Sequence, residues 1–260
     1  MILITFILTA LILAGVFYWI NNTKFNQLAN SSPQPSQNQA AGGLLPQSLE
    51  NEISTSSPPF VAKGEILQGN PNKKQIIFTF DGGSGINSAQ KIMDVAAKHS
   101  VNLTFFSTGK FAQKYPELIK QIAAAGHEIF NHTYSHPLLT QLSDEQIEEE
   151  LIKCEDIIYG LTGQTTKPYF RPPYGDRNEH VLQVASAIGY QSVYWTTDSF
   201  DWMTGKTAQE VKQRIYDNLK PGAIFLMHVG DEITGNVLDE VFTYVENQGY
   251  KIVSLSEGLK

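Results

Sequence analysis

The chain has a single cysteine in 260 residues. It can form no disulfide within itself, so its folded part depends on a packed core. Cys154 lies in an acidic, helix-like stretch, Asp144 to Ile158, where it is expected to be inert. Basic residues are few beside acidic ones, 19 against 26, which gives a formal charge of −7. The imbalance falls beyond residue 73, where 23 acidic residues meet 16 basic ones. There is no basic stripe, which argues against nucleic acid as a partner. No Gly-rich phosphate loop follows the first strand-like run, which disfavours nucleotide-binding folds. No internal repeat is evident. Histidine is scarce at six, so the placing of two of them four residues apart, His132 and His136, is informative. Imidazole is the commonest protein ligand of borderline metals, and a pair this close can close on one ion.

The one long apolar run opens the chain. Met1 to Ile20 is apolar except for Thr5 and Thr9, with Tyr18 and Trp19 near its end. About twenty such residues can span a bilayer as a helix, and aromatic residues favour the interface. The run begins at the first residue and is followed by no clear small-x-small cleavage pattern. It is therefore expected to be an uncleaved membrane anchor, with a cleaved signal segment and a secreted product as the alternative. Residues 21–73 carry Ser, Pro, Gln, Asn and Gly in runs that cannot bury enough apolar surface to offset chain entropy. They are expected to be a flexible linker holding a domain, residues 74–260, away from the membrane on its extracytoplasmic side.

From Gln75 onward strand-like and helix-like segments alternate. Strands are expected at Gln75–Phe80, Leu103–Ser107, Glu128–Asn131, Tyr169–Arg171, Gln191–Trp195, Ile224–Met227 and Lys251–Val253. Helices are expected between them, two opened by capping boxes, Ser143 with Gln146 and Thr207 with Glu210. About seven β/α alternations imply a parallel sheet, either an open doubly wound sheet or a barrel.

The polar residues with chemistry gather at the ends of these strands. Asp81 follows the first, His132 and His136 the third, Arg171 the fourth, Asp198 and Asp201 the fifth, and His228 the sixth. In a parallel barrel all such ends open on one face, where catalytic groups collect. Trp195 and Tyr194 are expected in the strand core, and His99, His127 and His180 in solvated or structural places.

In this order Thr79-Phe80-Asp81-Gly82-Gly83, His132-Thr133-Tyr134-Ser135-His136, Arg171-Pro172-Pro173-Tyr174, Asp198-Ser199-Phe200-Asp201-Trp202 and Leu226-Met227-His228 resemble the five motifs of the polysaccharide deacetylases, the NodB-homology group or carbohydrate esterase family 4. The resemblance covers about residues 74–257. It implies an α/β fold, a distorted (β/α)7 barrel related to the TIM barrel, and metal-dependent removal of N-acetyl or O-acetyl groups from polysaccharides. By the same resemblance Asp81 is the base, His132 and His136 are metal ligands, Arg171 orients the base, Asp201 pairs with the catalytic acid His228, Tyr174 marks the oxyanion donor, Trp202 flanks the pocket and Leu226 lines the acetyl site. The ion is expected to be zinc, with cobalt, nickel or manganese as alternatives, the substrate peptidoglycan or a chitin-like glycan, and the protein a monomer. One position departs from the pattern. The second aspartate of the first motif, a metal ligand in the family, is Gly82 here. This leaves open a third ligand supplied by water, a shifted Asp81, or a site without metal that only binds glycan. An Asp81→Asn change is expected to stop turnover with little loss of folding.

Overall fold

The computed structural model describes residues 64–260. The expected anchor at residues 1–20 and most of the expected linker lie outside the described residues. Among the described residues no helix is long and apolar enough to cross a membrane.

Eight strands form one sheet: β1 (Gln75–Gly82), β2 (Thr104–Ser107), β3 (Glu128–Asn131), β4 (Tyr169–Phe170), β5 (Gln191–Ser192), β6 (Thr197–Asp198), β7 (Ala223–His228) and β8 (Lys251–Val253). Their order is β5-β4-β3-β2-β1-β7-β6, with β8 paired to the start of β1. Each of these pairings is parallel. The sheet curves into a half-barrel with helices around it, the coarse form of the barrel that the sequence implies.

β1 is central: every residue after Gln75 is buried, so the strand is covered on both faces. Its side chains alternate. Ile76, Phe78 and Phe80 pack outward with Ile92, Val95 and Phe242 from the helices, while Ile77 joins the inner cluster with Phe106, Phe130 and Ile224. Thr79 and Asp81 continue the inner row, and Thr79 Oγ1 donates to the Phe225 carbonyl at 2.7 Å. β7 repeats the pattern, which sets Ile224, Leu226 and His228 on one row. The parallel register makes Asp81 and His228 direct neighbours across the β1–β7 pair.

The helices are α1 (Ala89–His99), α2 (Gly109–Lys114), α3 (Pro116–Ala124), α4 (Asp144–Thr162), α5 (Glu179–Ala187), α6 (Ala208–Asp217), α7 (Glu232–Asn247) and α8 (Leu255–Gly258). Both expected capping boxes are formed, at Ser143 and at Thr207. Three differences from the sequence reading stand out. α2 was not anticipated, because its six residues carry too little periodicity; Thr108 starts it by accepting from the Phe111 N–H. α7 begins at Glu232 and runs through Thr234 and Gly235, whose polar and small side chains hide the helical pattern of its first turn. The expected strand Gln191–Trp195 ends at Ser192, and β6 follows at Thr197.

β5 and β6 are the two ends of the sheet path, so the gap between them is where the wall must close. Residues 64–70, which composition assigns to the linker, lie across it as a strap. Ile66 N–H donates to Ser192 O at 2.9 Å, Tyr194 N–H to Ile66 O at 2.8 Å, and Gly69 N–H to Gly222 O at 2.8 Å. Thr196 Oγ1 donates to Leu67 O at 3.2 Å. The folded unit therefore begins before the expected boundary at 73/74.

Candidate active site

The strand ends open on a cavity of about 600 Å³ lined by Asp81, His132, His136, Tyr174, Trp195, Asp198, Trp202, Leu226, His228 and Asp231, among others. Of the sequence-predicted site residues, only Arg171 and Asp201 do not line it. Both are buried and each holds a lining residue.

Arg171 is fully buried directly after β4. Its Nη1 donates to Asp81 Oδ1 at 2.6 Å, its Nε to Val193 O at 3.3 Å and its Nη2 to Tyr194 O at 3.2 Å. The guanidinium lies 4.1 Å over the Phe106 ring. Burial alone would raise the Asp81 pKa, but the Arg171 charge and the two nearby histidines outweigh it and hold the carboxyl below its ordinary value. Asp81 is thus an anion ready to accept a proton.

Beside Asp81, across the β1–β7 pair, His228 forms a hydrogen-bonded pair with Asp201. Asp201 Oδ1 meets His228 Nδ1 at 2.9 Å, and Asp201 Oδ2 accepts from the His228 backbone N–H at 2.7 Å and from Thr234 Oγ1. Burial lowers the His228 pKa, but the bond to Asp201 and the surrounding carboxylates more than reverse this, to about 8. His228 is therefore protonated near neutral pH, with Nδ1 engaged and Nε2 left for the cavity.

The histidine pair differs. The Arg171 carbonyl can only accept, so His132 Nδ1 carries a proton and donates to it at 2.8 Å. That fixes the tautomer and points a free Nε2 at the cavity, as in metal-bound histidines. Burial lowers the pKa of His132, and burial together with His132 takes His136 down to about 4. Both rings are neutral at pH 7, the form that ligates metal. Their centroids are 4.8 Å apart, and His136 also packs edge-on to Tyr174 at 4.5 Å. The loop between them holds Thr133 and His136 at φ of 66° each. It is pinned by Asn131 Oδ1 on the Thr133 N–H and by Glu150 on Ser135.

His132 Nε2 stands 3.4 Å from Asp81 Oδ2. That is longer than a charge-assisted hydrogen bond of about 2.7–2.9 Å. It is close to the spacing of about 3.4 Å between two ligands that share a tetrahedral zinc. Gly82 contributes no donor, and a Cβ there would meet the Phe111 ring at 3.2–3.5 Å. The residues thus fit a divalent ion held by His132 and His136 and faced by Asp81, with no third donor from position 82. Among the described residues the one trio of possible ligands whose donor atoms lie within 4.8 Å of one another is Asp201, His228 and Asp231. The oxygens of Asp201 are already committed to His228 and Thr234, so that trio is better described as an acid–base pair with a neighbouring carboxylate than as an ion cradle.

One residue acts differently from expectation. Trp195 is not plain core: it lines the cavity and stacks on Tyr194 at 3.8 Å. Asp198 accepts from Trp202 Nε1 at 3.1 Å and from the Phe200 N–H at 2.9 Å. It sets the tilt of the half-exposed Trp202 ring beside His228. Asp231 and Thr234 were not anticipated. They lie just past His228, where only their closeness to the last motif could have signalled them. Cys154 is buried with its thiol pushed up to about 12, so it is inert as expected. His99, His127 and His180 all have structural partners.

A parallel half-barrel whose strand ends bring together an ionised carboxylate, a raised-pKa histidine and a pair of neutral histidines carries the groups that acid–base hydrolysis uses. The polysaccharide deacetylase family model matches residues 68–193. The peptidoglycan-N-acetylmuramic acid deacetylase PdaA of Bacillus subtilis is 37% identical over 193 residues, 73% of each chain. A peptidoglycan-N-acetylglucosamine deacetylase of Bacillus cereus is 36% identical over 193 residues, 73% of this chain and 70% of that one. Among solved structures, BA3943 of Bacillus anthracis, described as a CE4 family pseudoenzyme, is 32% identical with a TM-score of 0.73, covering 77% of this chain and 70% of that one. The chain belongs to the polysaccharide deacetylase family, hydrolases of acetyl amide bonds.

Two outcomes follow from this geometry. Asp81→Asn leaves the buried Arg171 charge uncompensated, so urea unfolding should show a loss of about 3–5 kcal/mol; this replaces the expectation of intact folding. Gly82→Asp should raise zinc affinity at least about tenfold in isothermal titration, the effect of one more ligand. Because the Phe111 ring must give way, the same variant should lose about 1–3 kcal/mol of stability.

Proposed function

We propose that the protein removes N-acetyl groups from an amino-sugar polymer of the cell wall, peptidoglycan above all, working on the extracytoplasmic side of a membrane to which residues 1–20 tether it. The observation that carries this reading is the opposed pair of proton carriers, Asp81 with its pKa held down and His228 with its pKa held up, facing one cavity. The names of the relatives in Bacillus subtilis and Bacillus cereus support the polymer.

His132 and His136 would hold a divalent ion, zinc in the first instance, and when bound it would supply Lewis acidity for attack on the acetyl group. Asp81, oriented by Arg171, takes the proton of the attacking water. The acetyl methyl sits against Leu226. The backbone N–H at Tyr174 donates to the oxyanion as the carbonyl carbon becomes tetrahedral. His228 Nε2 then protonates the leaving amine, and Asp201 stabilises the imidazolium until that moment. Trp202, braced by Asp198, and the exposed Tyr174 ring give a sugar two aromatic faces to pack on.

Gly82 and the structural likeness to a pseudoenzyme favour a second reading, a glycan-binding protein without turnover. The two are separated by incubating the purified protein with zinc or cobalt and N-acetylglucosamine oligomers. Acetate release that a chelator abolishes supports the enzyme; binding without acetate, indifferent to chelator, overturns it.

The protonation states also fix a pH profile. His228 must be protonated to act as acid, so kcat/KM should fall as pH rises through about 8. Asp201 supplies the two strongest effects that raise this pKa, and only the weaker ones of Asp81 and Asp198 then oppose burial, so Asp201→Asn should move this limb to lower pH by at least about one unit. An unmoved limb in that variant would remove His228 from the acid's role.

A further inference from the structure

The strap that closes the barrel wall also reaches the cavity rim. Glu65 lies in it, ahead of the region that the five motifs span. Its carboxylate takes a two-pronged ion pair from Arg177, Nε to Oε1 at 2.6 Å and Nη2 to Oε2 at 2.9 Å. Ser192 Oγ donates to the same Oε1 at 3.0 Å. Both partners of the ion pair are largely shielded from solvent, at 24% and 15% side-chain exposure, so the pair is screened less than an ordinary surface bridge. The Arg177 guanidinium lies 3.7 Å over the Tyr194 ring, and its Nη1 donates to the Gly175 carbonyl at 3.1 Å.

That carbonyl belongs to the turn that presents Tyr174. Tyr174 and Gly175 are both left-handed, at φ 58° and 67°. The turn is costly for Tyr174, since left-handed backbone costs a non-glycine residue about 1–2 kcal/mol. Gly175 has no room for a side chain, because a Cβ would lie 2.7 Å from Tyr194 and 3.0 Å from Trp195. Two pegs hold the turn in this shape. One is Asp176, whose carboxylate accepts from the Thr140 N–H and Oγ1. The other is Arg177, and what fixes Arg177 is Glu65.

We propose that Glu65 is a positioning residue for the reaction, acting through Arg177 and the Gly175 carbonyl to aim the Tyr174 N–H at the oxyanion. The inference rests on the deacetylase reading for its kinetic consequence but not for its structural one. Removing a whole oxyanion donor costs about 10²–10³ in rate, and misaiming one costs a part of that. Such a donor works in the transition state, so the loss appears in kcat and not in KM.

The test uses the full chain with Glu65→Ala and Glu65→Asp. Two quantities are measured: acetate release from N-acetylglucosamine oligomers, and hydrogen exchange of the backbone amides of residues 174–177. In Glu65→Ala, kcat should fall at least about tenfold with KM within about twofold, and exchange at residues 174–177 should quicken at least about tenfold while β1 and β7 stay protected. Glu65→Asp keeps the charge and should recover most of both losses. Unchanged exchange at residues 174–177 overturns the proposal whatever the activity. Quickened exchange with unchanged kcat in an active wild type overturns it as well. A wild type that releases no acetate sinks the deacetylase reading, and the exchange measurement then decides the positioning claim alone.

Discussion

Everything at the cavity leans on one buried cation. Arg171 joins four strands of the wall: its guanidinium binds Asp81 at the end of β1 and the carbonyls of Val193 and Tyr194 beyond β5, while its own carbonyl holds His132 beyond β3. A guanidinium fully out of water is tolerable only if its donors are met and its charge is balanced. Asp81 supplies the balance, so the same ion pair that secures the fold also secures the ionised state of the base. One residue therefore holds the Asp81 carboxylate through its side chain and the His132 ring through its main chain. A substitution there cannot be local.

The two halves of the site are not equally determined. The acid half is over-determined: Asp201 receives the side chain of His228, the backbone of His228 and the hydroxyl of Thr234, three donors on one carboxylate. The metal half is under-determined. His132 is locked, but His136 sits on a left-handed turn and position 82 offers nothing but space already taken by Phe111. Catalytic zinc usually has three protein ligands, and here the third point of the triangle faces an Asp81 that Arg171 already holds. Under the deacetylase reading, the chain keeps its proton-transfer pair whole and holds the ion less firmly.

Much of this was legible in the residues. The strand ends were readable because a buried parallel strand is a near-continuous apolar run, and five of the seven expected runs stop at a polar residue with chemistry; β3 and β8 fall where the sequence places them. The two capping boxes were readable because their spacing is local. What was not legible depends on contacts distant in sequence. Nothing about Glu65 distinguishes it from a linker residue until Arg177, 112 positions away, is brought against it. Trp195 carries the same apolar signature whether it faces a core or a cavity, and only barrel curvature decides. Thr234 was hidden because a threonine in a helix announces no partner. The cost of Asp81→Asn was misjudged for a related reason: the sequence shows a base and an arginine, but not that the arginine is wholly dry.

The contrast between the halves bears on whether the site turns over. A surface that merely binds an uncharged sugar gains nothing from a buried arginine, an ionised aspartate and a histidine kept protonated, since each buried charge carries a desolvation cost. Neutral hydrogen-bonding groups would serve as well. Groups whose pKa values are driven in opposite directions across one cavity are what acid–base chemistry requires, one to accept a proton and one to give it. Under the deacetylase reading, a position 82 without a carboxylate weakens the hold on the ion and leaves that pair intact. The deacetylase reading thus predicts an enzyme whose dependence on added metal is steep, because ion affinity rather than proton transfer is the part of the site that the sequence has let go.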